Sequence, residues 1–516
     1  MWNELLKSQK IEYKKLITNF ASLSEAFSQK KSENYNLVPI VNSKFQEKVF
    51  QLCFNAIGED INNTSFDASI NLDNKKYLIG IKSFNYKSKN QKIAQFKSLS
   101  TRENWNNIMI DINNNKRKEE KLEKYREFAI KISEARNLRI KSSLEQIKGF
   151  KINKEDYVKS IYHVLMTVNI DGKPYIFVGE KDYSFINIDK IEVIEPKNQN
   201  TFSNFKFYDG NNTYKYTSSD SQLYMNFDNE NIVLEKWPIT YISDPIEVFK
   251  KINMENISLE SDLFIDSVSW YIPNKNGMIE ESSGFNAFDG APKLPRKNNY
   301  REKLINRLES ELNKKYSDDI VSNIKIELKN LLLKEYKNKN EKLLRKKLRN
   351  DFFDYIEGNL ETVDQTKIKK LLLRPVKEMY IPIPNSKNFH KERPNFFGDD
   401  VGLFNENTGR LVKTKNERIF NLEFLSSGDV IKAYINQDYG KGIQSINQQG
   451  ILGEWILKGV FQLKERELLT TEKLFEIGIN GIRLYKYKEE ERGIALEFIW
   501  IDSDNLPEDF HGDIMI

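Results

Sequence analysis

Apolar residues recur at helical spacing at the start of the chain and at alternate positions soon afterwards, which predicts helices followed by a sheet. Residues 3–31 set Leu5, Leu6, Tyr13, Leu16, Ile17 and Phe20 among charged neighbours. Asn42-Ser43 reads as the cap of a second helix through Ile57, with Phe45, Val49, Leu52, Cys53 and Ala56 as its buried stripe. Two β-type runs, 65–72 and 77–84, flank the polar Asp73-Asn74-Lys75-Lys76 and predict a hairpin with a four-residue turn. Residues 113–150 return to a charged helical pattern. Residues 161–233 are β-rich and carry the turn pairs Asp171-Gly172 and Asp209-Gly210, which predicts an extension of the sheet.

A second unit is predicted over 262–516, where many short strands suggest a barrel or sandwich, leaving 1–255 as the first. Residues 299–371 interrupt it with 18 Lys+Arg against 13 Asp+Glu, and with apolar residues at Leu304, Leu308, Leu312, Ile320, Ile324, Leu328 and Leu331. That spacing predicts an amphipathic helical insertion, whose stripe we expect to be buried between domains or against a second copy.

Composition narrows the function classes. The 516 residues exceed one ordinary core, and 32 Phe, 24 Tyr and 6 Trp supply cores enough to exclude wholesale disorder. A net charge of +5 says little about partners, so any nucleic-acid affinity must come from local clusters of Lys and Arg. One cysteine, Cys53, and three scattered histidines, His163, His390 and His511, offer neither a disulfide nor zinc-site spacing. With no long apolar run and no leader-like start, the chain is expected in a bacterial cytoplasm, away from membranes.

The hairpin is where chemistry can be sought. Pairing Leu72 with Tyr77 sets Asp67 opposite Lys82. Ser65, Asp67, Ser69, Gly80 and Lys82 then share one face, and Phe66, Ala68, Ile70, Ile79 and Ile81 share the other. A carboxylate that can hold Mg²⁺ beside a cation that can stabilise developing charge is what phosphodiester cleavage requires. The plainer reading is a surface hairpin with an ion pair worth ~0.2–1 kcal/mol. The stretch from Phe66-Asp67-Ala68 to Ile79-Gly80-Ile81-Lys82 resembles the PD-(D/E)xK nuclease core, with Gly80 where that family usually has an acid. The resemblance implies that a neighbouring helix supplies the missing carboxylate, from Glu47 in preference to Gln46. Gln95 is expected on a helix after the hairpin, and His163 in a packed core.

Farther on, the loop Tyr439-Gly440-Lys441-Gly442 is followed by Gln444, Asn447, Gln448 and Gln449, where Lys can meet phosphate and amides can read base edges. A solvated polar loop is the plainer reading. Ser283-Gly284-Phe285-Asn286-Ala287-Phe288, the run Met379-Tyr380-Ile381-Pro382-Ile383-Pro384 with Phe389-His390, and Gly440-Lys441-Gly442-Ile443-Gln444-Ser445-Ile446 through Trp455 together resemble the recognition domain of NgoFVII-type restriction endonucleases. That resemblance implies a β pseudobarrel similar to the plant B-three DNA-binding fold. Its first arm would hold Ser283, Asn286, Lys293 and Arg296, and its second Lys441, Gln444, Ser445, Asn447 and Gln448. His390, Phe389 and Trp455 would be structural.

These readings make the expected fold an α/β (α+β) nuclease domain with a mixed sheet, joined to a mainly β pseudobarrel carrying the helical insertion. The expected activity is that of a type II site-specific endodeoxyribonuclease. Asp67 and Glu47 would bind Mg²⁺, Lys82 would stabilise charge, and the ends would carry 5′-phosphates. The implied partners are double-stranded DNA, a second copy in a homodimer, and a cognate DNA methyltransferase protecting the host. The alternatives are a catalytically inactive DNA-binding regulator and a helical scaffold.

Overall fold

The computed structural model describes the chain apart from residues 28–36, 59–65, 73–74, 116, 151–156, 195–203, 252–262, 293, 296, 437 and 514–516. Ser65, Asp73, Asn74, Lys293, Arg296 and the proposed boundary at 255–262 lie outside the described residues.

Helices α1 (Lys7–Ser22) and α2 (Ser43–Phe54) come first. Asn42 caps α2 by accepting the Phe45 amide at 3.0 Å, and Asn55 ends it in the left-handed region, as short polar side chains do at helix termini. The stripe of α2 buries Val49, Phe50, Cys53 and Phe54, whereas Leu52 points to solvent at 61% exposure, against the predicted face.

The strands that follow are β1 (Ile57–Gly58), β2 (Ala68–Leu72), β3 (Lys75–Asn85) and β4 (Asn90–Gln95). Helices α3 (Lys97–Arg102), α4 (Trp105–Asn114) and α5 (Lys118–Lys148) lead to β5 (Tyr157–Ile170) and β6 (Lys173–Asp182). Then come β7 (Glu192–Ile194), β8 (Asn204–Tyr208), β9 (Thr213–Thr217), β10 (Gln222–Asn226), β11 (Val233–Pro238) and α6 (Pro245–Lys250). Gln95 thus ends a strand, not a helix: its run continues the sheet pairing with β10.

Two sheets result, ordered β1-β2-β3-β5-β6-β11 and β4-β10-β9-β8-β7. The first is mixed. β3 and β5 are parallel, which requires a long crossover, and α5 lies within it. One face of this sheet, with Ala68, Ile70, Tyr77, Ile79 and Ile81, packs under α1 and α2. The opposite face, with Leu78, Tyr162, Val164 and Met166, packs against α4, α5 and the second sheet.

The remaining strands are β12 (Phe264–Tyr271), β13 (Ile381–Pro382), β14 (Phe404–Asn405), β15 (Arg410–Leu411), β16 (Ile419–Phe424), β17 (Asp429–Ile435), β18 (Gly442–Ser445), β19 (Gly481–Tyr487) and β20 (Ile494–Ile499). Seven of them form an open sheet ordered β12-β19-β20-β16-β17-β18-β13, and β14 pairs only with β15. The sequence predicts a barrel or sandwich here; among the described strands no pairing closes a barrel, because the two-residue β13 is the last in the order.

Between β12 and β13 stand α7 (Tyr300–Leu312), α8 (Asp318–Leu332), α9 (Lys339–Asn359) and α10 (Thr362–Leu372). Leu308, Leu312, Ile324, Leu328 and Leu331 are buried together with Phe352, Ile356, Ile368 and Leu372. The stripe is therefore covered by the insertion's own helices. This corrects the expectation that a second copy or another domain would cover it.

Helix α5 also ties the two sheet systems together. Its buried Arg139 donates to the Gln95, Phe475 and Glu476 carbonyls at 2.7, 3.2 and 2.9 Å, and Trp455 donates its indole N–H to the Glu145 carbonyl at 2.8 Å. No described helix is long and apolar enough to cross a membrane.

Candidate functional site

At its open end β2 stops one residue short of what β3 needs. The observed register pairs Leu72 with Lys75 and Ala68 with Ile79, two residues away from the predicted one. Asp67 therefore lies beside the level of Gly80 and not opposite Lys82. A shift of two keeps the parity of a strand, so Asp67 and Lys82 still meet, now as diagonal neighbours. Phe66 breaks the alternation: it packs on Tyr183, 4.8 Å between ring centres, in the core opposite to the one predicted.

The Asp67 backbone N–H donates to the Ile79 carbonyl at 2.8 Å, and its carboxylate Oδ2 accepts the Ile81 amide at 2.6 Å. The Lys82 ammonium stands 3.8 Å from the same oxygen, each side chain about three-quarters buried. Burial pushes the Asp67 carboxyl above the ordinary aspartate range; Lys82 and the Ile81 amide oppose the rise, and the Glu47 charge adds to it. Glu47 stands in the first turns of α2, where its carboxylate meets the Lys44 ammonium at 2.7 Å. Gln46, the weaker candidate, is fully buried. The structure thus brings Asp67 and Lys82 together, with the Glu47 charge felt at Asp67, and leaves Gly80 without a side chain to contribute.

Whether Mg²⁺ suits this donor set follows from its coordination habits. Among the described residues no group of three or more His, Cys, Asp or Glu surrounds one point. Mg²⁺ keeps several waters and is commonly held by one or two carboxylates plus substrate phosphate oxygens. A desolvated carboxylate that feels the charge of a second one, Glu47, is compatible with that habit.

The second set of predicted residues gathers around β13. The Ser283 hydroxyl and the Tyr380 hydroxyl are 2.7 Å apart, the Tyr380 amide donates to Gly284, and the Ile383 amide donates to Lys441, so the two predicted arms share one support. Gly440 adopts φ +58°, and a Cβ there would lie 2.2 Å from His390 Nε2; a Cβ at Gly442 would lie 2.4 Å from the Tyr380 ring. Only glycine lets this loop close onto both rings. The buried His390 lies 3.1 Å from the Gly440 carbonyl and props the loop, a structural role as expected. Phe389 and Trp455 are core residues.

Lys441 is half-exposed and ion-paired with Asp438. Gln444 accepts from the Tyr434 hydroxyl at 2.7 Å, and Asn447 and Gln448 are exposed. Two predicted contacts are corrected. Asn286 is 1% exposed, its amide taken by the Leu469 carbonyl at 3.0 Å and the Leu469 N–H at 2.8 Å, so it cannot present an edge to DNA. Ser445 is buried, its hydroxyl accepting the Gln448 amide at 3.1 Å, and it shapes the turn that displays its neighbours. Sequence reasoning passed over Tyr380 and Tyr434, although Tyr380 sits inside a quoted motif. His163 is fully buried against Trp2, Tyr13 and Phe50, and burial lowers its pKa to about 3, which removes it as a base at neutral pH.

Comparison with protein-family models and with curated proteins finds no match to this chain.

Proposed function

We propose that this chain is a sequence-specific, Mg²⁺-dependent endodeoxyribonuclease of the type II restriction kind. The observation that carries the reading is the Asp67 carboxylate, desolvated at a strand end with Lys82 at 3.8 Å and near enough to Glu47 to feel its charge. Asp67 and Glu47 would hold the ion, which would supply charge neutralisation at the phosphate and a more acidic water. Lys82 would steady the charge that builds on the phosphoryl oxygens or on the attacking hydroxide. In-line attack with loss of the 3′ oxygen leaves a 5′-phosphate. Recognition falls to the pseudobarrel-like C-terminal sheet, through Lys441, Gln444, Asn447 and Gln448 around the Ser283–Tyr380 support. Cutting both strands would take two copies of the site, from a homodimer or successive encounters, and a host carrying such an activity needs a methyltransferase to protect its own sites.

One feature favours a second reading, a DNA-binding regulator without catalysis: Gly80, level with Asp67, leaves two carboxylates where three would hold a cation more firmly. Incubation of the purified chain with phage DNA and Mg²⁺ separates the two. Discrete fragments support the nuclease; retarded but intact DNA supports the regulator; neither outcome removes both.

A further inference from the structure

The seam between the helical insertion and the C-terminal sheet is lined by cations, some of which have no carboxylate partner among the described residues. Two clefts run along it, of about 870 and 930 Å³. Eleven cations line the two clefts among the described residues, Lys346, Arg349 and Arg374 lying on both; Lys369, Arg374 and Lys377 are paired with Glu357, Glu378 and Glu454. Asp289 lies on both, and its carboxylate is already engaged by Arg349 at 2.9 Å and Lys346 at 3.1 Å. Lys334, Lys342, Arg345 and Lys370 face the clefts with no carboxylate at ion-pairing distance among the described residues. Burial makes Arg345 easier to deprotonate than usual, and the nearby Arg349 and Arg301 add to this. Like charges gathered along one seam destabilise a protein unless anions offset them, and Asp289 is already shared by Arg349 and Lys346.

Position says which anion. Ser282 and Ser283 stand on the wall of the first cleft and Gly450 on the wall of the second, so the seam joins the first recognition arm to the turn that displays Asn447 and Gln448. A regularly charged polymer passing both arms would run along it. We infer that the seam is a track for the phosphate backbone of duplex DNA, by which the insertion lengthens the footprint through contacts that ignore sequence. This rests on the DNA-binding reading above, and on charge complementarity at the seam itself. Backbone contacts of this kind add affinity with a steep salt dependence while base contacts decide sequence.

The test removes charge without disturbing the fold. Lys334→Gln, Lys342→Gln and Lys370→Gln are combined in one full-length variant. Lys303→Gln, Lys314→Gln and Lys347→Gln, which are exposed on the same insertion but line neither cleft, are combined in another of equal net charge. Binding of a labelled mixed-sequence duplex is followed by anisotropy between about 50 and 200 mM salt without metal. Each lost phosphate contact lowers the slope of log affinity against log salt by about 0.9, so the seam variant is expected to lose roughly 2.7 and the control little. Equal flattening in both variants, or none in the seam variant, overturns the track while leaving cleavage at Asp67 standing. A wild-type chain that binds every sequence alike, with the seam variant still flattened, keeps the track and removes the recognition reading. Absence of DNA binding by the wild type removes both.

Discussion

The Asp67 carboxylate accepts the Ile81 amide at 2.6 Å and so completes, with a side chain, a backbone ladder that β2 ends too early to complete. One oxygen is thereby committed to structure while the Lys82 ammonium approaches it from the side. The same group can hold the strand end and serve chemistry, and substitution can separate the two roles.

Asp67→Asn keeps an acceptor for Ile81 but loses the charge; Asp67→Ala loses both. Cleavage is expected to vanish in each. Denaturant melts at neutral pH should show Asp67→Ala destabilised by about 1–3 kcal/mol, the usual cost of stranding a buried donor, with Asp67→Asn at or above wild-type stability because it carries no desolvated charge. Wild-type cleavage by Asp67→Asn would remove the proposed site.

The raised proton affinity of Asp67 gives a pH signature. Its folded pKa lies above its unfolded one, so the folded state holds the proton more tightly, and stability falls as pH rises through the window from about 3.9 up to the folded value. Asp67→Asn should lose that fall. Cleavage, which needs the ionised form, should have an acid limb above the ordinary aspartate range, and added Mg²⁺ should move it lower by favouring the carboxylate. Rate–pH profiles at several Mg²⁺ concentrations check this; a limb indifferent to Mg²⁺ would detach the ion from Asp67.

Because Glu47 is proposed to hold the ion with Asp67, Glu47→Gln should reduce cleavage by orders of magnitude, and loss of its charge should lower the Asp67 pKa. Its ion pair with the largely exposed Lys44 contributes little, so melting should move by under about 1 kcal/mol. NMR titration of the Asp67 carboxyl in the variant reads the shift directly.

How much of this could be read beforehand depends on the range of the interaction. Ile324, Leu328 and Leu331 announce their helix because a 3.6-residue period is local. The Asp67–Lys82 encounter was legible because side-chain parity survives a register error of two, whereas the register itself depends on turn geometry that polar residues do not specify. Phe66 could not be assigned, since its pocket beside Tyr183 is built by the residue just after β6, more than a hundred residues away. Asn286 misled for a similar reason: an amide that reads a base and one that clamps Leu469 look alike until the partner, 183 residues on, is known. That the C-terminal sheet stays open was equally invisible, because short strands do not declare their neighbours.

Asn286 and Gln448 should therefore behave oppositely. Asn286→Ala leaves the Leu469 N–H and carbonyl unpaired in the core and is expected to cost about 1–3 kcal/mol, with any loss of DNA binding following the loss of fold. Gln448→Ala touches an exposed side chain, so melting should be unchanged while discrimination among sequences relaxes by about 1–3 kcal/mol per lost base contact. Paired melts and competition binding with the two variants decide this; a fully stable Asn286→Ala that loses specificity alone would restore Asn286 as a reader.

Because α7 to α10 bury their apolar stripe among themselves, damage there should stay there. Leu328, 1% exposed, packs within a cluster drawn from 305–372, so Leu328→Ala should cost about 2–5 kcal/mol of local stability. Amide hydrogen exchange should accelerate across α7–α10, the unit that shares the cavity, while β3 and β5 keep their protection. Sedimentation should report the same association state as wild type, since no second copy is needed to cover the stripe. Faster exchange spreading equally into β3, or a change in assembly, would show that the helices lean on the N-terminal sheet or on a partner, and that their internal core is not what holds them.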